Sequence, residues 1–214
     1  MKKIIVSGLI LLCLLSVCVG CGTKGYTETE IKSIFAEQLS LKYHLDFDIQ
    51  GVNTQEDGTH KYYLATVVDK KSGTEFTAHI EKDGTGLKDN FEGFYYDETF
   101  QQEIDNIIDT VDDDVFITDY VIYYLMSEVP NGNIDAYRES GNLKLRIDVT
   151  IDDLDNETTA KKLMSIVEQC REKGFLLSVN LSYDTIPYVF YESDIYRITY
   201  EYIVNKLANV QEIE

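Results

Sequence analysis

Leu143, Leu145, Ile147, Val149 and Ile151 alternate without a break with Lys144, Arg146, Asp148 and Thr150. Neighbouring side chains of a strand point to opposite faces, so this run specifies a strand with one apolar face and one polar face. A helix would scatter the same residues around its circumference. The residues that follow narrow the choice further. Asp155 or Asn156 can cap a helix that runs to about Lys173, and Gly174 stops it. Phe175 to Tyr183 is again strand-like, and Tyr188 to Tyr191 reads as a short strand. Strand, helix, strand is a βαβ-like unit, suited to a mixed sheet.

The first half of the chain has a different order. Thr27 and Glu30 stand at the spacing of a capping box, and Ile31, Ile34, Phe35 and Leu39 share one helical face. This predicts a helix over 28–43. Strands follow at 46–53, at Tyr62 to Val68, and at Phe76, Ala78 and Ile80, which alternate. Turns at 55–58, Lys70 to Gly73 and Asp83 to Gly86 separate them. The element order over 27–96 looks like the cystatin-like and PepSY-like helix-on-sheet modules of secreted bacterial proteins.

A helix from Asp97 to Val111 uses Phe100, Ile104, Ile107 and Ile108 as its face. Val115 to Leu125 is β-branched and aromatic, a strand with a helix as the alternative. Asn131 to Asn133 forms a turn. At the C-terminus, Tyr196, Tyr200, Ile203, Leu207 and Val210 favour a helix capped by Ser193 or Asp194, with a strand as the alternative. The fold class is α+β: a helix on an antiparallel meander over 26–111, then a second small α/β unit over 112–214.

The N-terminus says where such a chain works. Lys2 and Lys3 precede an uncharged stretch from Ile4 to Val19, and Gly20 precedes Cys21. This resembles the lipobox of bacterial lipoproteins, with the overall look of a Gram-positive one. The resemblance implies a signal peptide over 1–20, a diacylglycerol on the Cys21 thiol, and a flexible leash over 21–25. Cys18 stands where the family usually has Leu. Two acyl chains hold a protein at a membrane where one would release it. The expected location is therefore the extracytoplasmic face of the cell membrane, with lipid and an envelope protein as partners.

Composition limits the remaining function classes. The chain has 38 acids against 19 bases and a net charge of −19, which excludes a phosphate-backbone binder. Cys13 and Cys18 leave with the signal and Cys21 is modified, so Cys170 stands alone and no internal disulfide forms in the mature chain. A lone cysteine on a helix reads as a small buried hydrophobe. Sixteen tyrosines occur beside no tryptophan. Tyr62, Tyr63, Tyr95 and Tyr96 are the candidate contact surface.

No motif names a reaction. The sequence carries no phosphate loop, no HExxH and no Gly-x-Ser-x-Gly. Asp152 to Glu157 is the densest oxygen cluster, but it lacks the calcium-loop spacing and glycine, and reads as a helix start. Asp112 to Asp114 reads as a solvated acidic loop. His60 and His79 fall on strands that can be neighbours, yet no third zinc ligand is evident, so both read as sheet-surface histidines. The chain is expected to be a non-enzymatic binding protein without cofactor or metal. A carboxylate-dependent surface hydrolase and a cation-responsive sensor are the alternatives.

Overall fold

The computed structural model describes residues 25–126, 128, 133–151, 155–183, 186–193 and 196–209. Cys21 lies outside the described residues, as do Asn131, Asp152, Asp153, Asp194 and Val210. None of the helices among the described residues is long and apolar enough to cross a membrane.

The architecture is α+β, with two four-stranded sheets. Helix α1 (Glu28–Tyr43) starts at the capping box: the Thr27 side chain accepts from Glu30 N, and Thr27 N donates to the Glu30 carboxylate at 2.8 Å. Ile31, Phe35 and Leu39 are its buried stripe. Strands β1 (Phe47–Asp57), β2 (His60–Asp69), β3 (Glu75–Glu81) and the short β4 (Lys88–Asp89) form an antiparallel meander in that order. Tyr63, Ala65, Val67, Phe76, Ala78 and Ile80 face α1 and close the first core. The alternate residues of β2 and β3, among them His60, Tyr62, His79 and Glu81, lie on the other face.

The second sheet has the order β5 (Val115–Tyr124), β6 (Leu143–Ile151), β7 (Leu176–Tyr183), β8 (Ile186–Tyr191). Only the β6–β7 pair is parallel. The crossover between them is helix α5 (Asn156–Glu172), capped by the Asp155 carboxylate on Glu157 N and Thr158 N. Gly174 follows α5 at φ +83, where an L side chain is strained.

Several boundaries differ from expectation. The stretch before β5 holds two helices, α2 (Phe91–Tyr95) and α3 (Asp97–Ile108). Phe100, Ile104 and Ile107 of α3 pack into the second core. A short helix α4 (Ile134–Glu139), capped by Asn133, brings Tyr137 into that core. The terminal helix α6 (Tyr200–Ala208) is capped by Thr199, not by Ser193. Ser193 and Tyr196 instead form an isolated β-bridge, so Tyr196 belongs to the turn before α6.

Candidate functional site

The densest buried chemistry lies where the C-terminal end of α1 meets the β4–α2 corner. Lys42 and Tyr43 come from the last turn of α1. Asp89 ends β4, and Glu92 sits in the first turn of α2. Both carboxylate side chains are fully buried. The single Tyr43 hydroxyl lies 2.6 Å from Asp89 Oδ1 and 2.6 Å from Glu92 Oε2. It carries one proton, so the two carboxyls share a single donor. Asp89 is the better partner for that proton's positive charge, because Lys42 Nζ reaches its Oδ2 at 2.9 Å and Phe91 N donates to its Oδ1 at 3.1 Å.

Glu92 is the second buried acid of the cluster, with Lys42 Nζ 3.7 Å from its Oε1. Burial pushes its carboxyl above the usual range, and the neighbouring Asp89 charge adds to this. The Tyr43 hydrogen bond and Lys42 pull the other way without reversing it. Lys42 faces both carboxyls, at 2.9 Å from Asp89 Oδ2 and 3.7 Å from Glu92 Oε1. Burial and the two acids raise Tyr43 far beyond the ordinary phenol range, so it stays protonated. Glu92 Oε1 has no hydrogen-bond partner among the described residues.

This network forms one wall of a cleft of about 460 Å³. Tyr43, Phe91, Glu92, Tyr95 and Tyr96 line it together with the end of α1. Phe91 packs on Tyr43 and Tyr95 at ring distances of 4.7 and 5.2 Å, and Tyr95 meets Tyr96 edge-on at 5.1 Å. An aromatic cleft with a few convergent polar groups is the usual form of a small-ligand site.

The four tyrosines read from the sequence do not form one surface. Tyr95 is half exposed and lines the cleft with Tyr96. Tyr63 is a core residue, 7% exposed, because it points from β2 towards α1. Tyr62 lies on the opposite face of the sheet. Its ring stands 4.4 Å from His79 and 5.9 Å from His60.

That open face carries a second cluster. His60 Nε2 lies 2.9 Å from Glu81 Oε2, and His79 Nε2 lies 3.6 Å from Glu81 Oε1. All three ligand atoms fall within 4.8 Å of one another. Glu81 supplies the third potential ligand group that the sequence left unplaced. It follows His79 by two residues on one strand, so strand alternation puts the two side by side. Asp112 and Asp114 hold Lys162 at 2.6 and 2.7 Å, and Asp155 caps α5.

No protein-family profile and no curated protein matches the chain. Among solved structures, it is similar to a DUF5037 family protein from Ruminococcus gnavus, with 14% sequence identity and a TM-score of 0.36 over 81% of this chain and 86% of that one.

Proposed function

We propose that the protein is a lipid-anchored binding module of the extracytoplasmic membrane face, and that the cleft lined by Tyr43, Phe91, Glu92, Tyr95 and Tyr96 is its recognition site. One observation carries the reading: a buried acid, Glu92, whose Oε1 has no hydrogen-bond partner among the described residues and faces Lys42 Nζ at 3.7 Å, stands in the wall of an aromatic cleft. A ligand with an N–H or O–H donor and an apolar or aromatic body matches that wall. The donor would bond to Glu92 Oε1, and the body would lie on Tyr95 and Tyr96. The lipobox-like Gly20-Cys21 supports the anchor.

The test is a thermal-shift screen of the full chain against amines, amides, phenols and saccharides. A compound that raises Tm in the wild type and fails to do so in Tyr95→Ala supports the cleft as the site. Equal stabilisation of both proteins would remove it. For the anchor, Cys21→Ala should leave the membrane fraction.

The hydrolase reading retains one specific observation. Glu92 lines the cleft, and burial raises its carboxyl above the ordinary value, the direction that a general acid requires. The other acid, Asp89, is bound to Lys42, Tyr43 and the Phe91 amide and is absent from the cleft lining. Two-carboxylate chemistry would need it free, so binding is the better-supported reading.

A further inference from the structure

We infer that His60, His79 and Glu81 form a binding site for a divalent transition-metal ion of the zinc class on the open face of the first sheet. The inference is independent of the cleft.

Spacing is the first argument. Four-coordinate zinc holds nitrogen and oxygen ligands at about 2.0–2.2 Å, which places ligand atoms roughly 3.3–3.5 Å apart. The separations of 2.9 Å from His60 to Glu81 Oε2 and 3.6 Å from His79 to Glu81 Oε1 lie on either side of that value. Small rotations of the Glu81 carboxylate would equalise them. Both imidazoles present Nε2 to the same carboxylate, and one ligand atom from each of the three residues lies within 4.8 Å of the others.

The second argument is the His79 ring nitrogen. Its Nε2 is buried and has no hydrogen-bond partner among the described residues, and 3.6 Å from Glu81 is too far for one. A buried polar atom left unpaired loses the hydrogen bond it would make to water. A metal ion at the centre of the triangle would satisfy it. A simple surface ion pair explains His60 and Glu81 but leaves this atom unaccounted for.

The scaffold suits the task. His79 sits inside β3, paired with Leu64 on one side and Lys88 on the other. Glu81 pairs with Tyr62, whose ring packs against His79. The ligands therefore stand on strands, where geometry is held more tightly than on loops. The Lys88 charge beside His79 is met by Glu128 at 3.0 Å. Two nitrogen donors select zinc, copper, nickel or cobalt over calcium and magnesium. The His60 side chain is 56% exposed, so the site opens to solvent with three protein ligands, as in zinc sites that keep a fourth position for water or substrate.

Calorimetric titration of the tag-free, chelator-treated full chain in detergent with Zn²⁺ tests this, with Co²⁺ as a visible-absorption probe. The expected result is one equivalent of zinc per chain, visible bands of four-coordinate cobalt, and no competition by calcium. His60→Ala changes an exposed residue at a strand start and leaves the core intact. Together with Glu81→Gln, it should weaken zinc binding at least about tenfold. His79→Gln should abolish the cobalt bands. Absence of saturable binding at millimolar zinc would overturn the site, as would affinity unchanged in His60→Ala and Glu81→Gln, or displacement of zinc by calcium.

Discussion

Gly93 lies flat against Tyr124: a Cβ on Gly93 would stand 2.5 Å from both Cβ and Cγ of that side chain. This contact joins the two halves of the molecule. Asn90 Nδ2 donates to Tyr124 O at 3.2 Å, Phe94 meets the Tyr124 ring at 5.0 Å, and the Tyr124 hydroxyl donates to Asp97. The corner that carries Asp89 and Glu92 is thus fixed against the first strand of the second sheet.

Gly93→Ala sets two effects against each other. Alanine in a helix gains up to about 1 kcal/mol over glycine. The new methyl meets atoms close to the Tyr124 backbone, which cannot swing away. Overpacking of that kind costs about 1–3 kcal/mol and wins in a helix of five residues. Tm should fall by several degrees, at ~2–4 °C per kcal/mol. A melting curve unchanged or raised by the substitution would show that the two halves are not held at this contact.

Arg138 binds the second unit together from α4. Its guanidinium grips Glu103 of α3 at 2.8 and 3.0 Å, bonds to Lys173 O at 2.5 Å beyond the end of α5, and lies 5.0 Å from the centre of Phe100. Both side chains of the pair are at most one-fifth exposed. Arg138→Ala leaves Glu103 largely dry and unpaired. Breaking a buried pair in this way costs about 3–5 kcal/mol, and partial exposure lowers the expectation to ~2–4. Urea unfolding of Arg138→Ala, Glu103→Gln and the double variant reads the coupling. Additive losses would mean that the pair contributes nothing beyond packing.

Much of this fold is legible in the sequence, for reasons that also mark where legibility stops. The Thr27–Glu30 box and the Ile31, Phe35, Leu39 stripe define α1, and the alternation at 143–151 defines β6, because each pattern is local and long enough to show its period. Helix α4 has six residues and only Asn133 to announce it. The α3 stripe shows that a helix buries one face but not which sheet receives it. The cleft was not legible. Tyr43 meets Asp89 and Glu92 across gaps of 46 and 49 residues, and in a chain with 38 acids nothing distinguishes those two. Only Glu81 was within reach, through its strand spacing from His79.

Cys170 should be chemically silent in the folded protein. It is 1% exposed on the inner face of α5, and burial, with the Glu192 carboxylate nearby, pushes its thiol up to about 12. The thiolate is the reactive form, and here it is both scarce and inaccessible. Iodoacetamide at mildly alkaline pH should leave Cys170 unmodified in native protein and alkylate it fully in urea, read by peptide mass spectrometry. Rapid native labelling would mean that α5 opens locally from the β6–β7 sheet.

Glu92→Gln should stabilise the protein at neutral pH. The folded-state pKa of Glu92 is raised above its ordinary value of 4.5, chiefly by burial. The folded protein therefore holds that proton more tightly than the unfolded chain. Linkage gives the sign: the favourable contribution is complete below about 4.5 and is lost as pH rises through the folded-state pKa. Glutamine keeps a neutral group beside Tyr43 and has no proton to lose. Tm of the variant should match the wild type in acid and exceed it towards neutral pH, by an amount corresponding to about 1–2 kcal/mol. Melting followed by circular dichroism across that range decides the matter. A Tm difference that does not change with pH would show that Glu92 is ionised in the native state. The Tyr43 proton would then serve two charged acids, and Glu92 Oε1 in the cleft wall would belong to an anion paired with Lys42 at 3.7 Å.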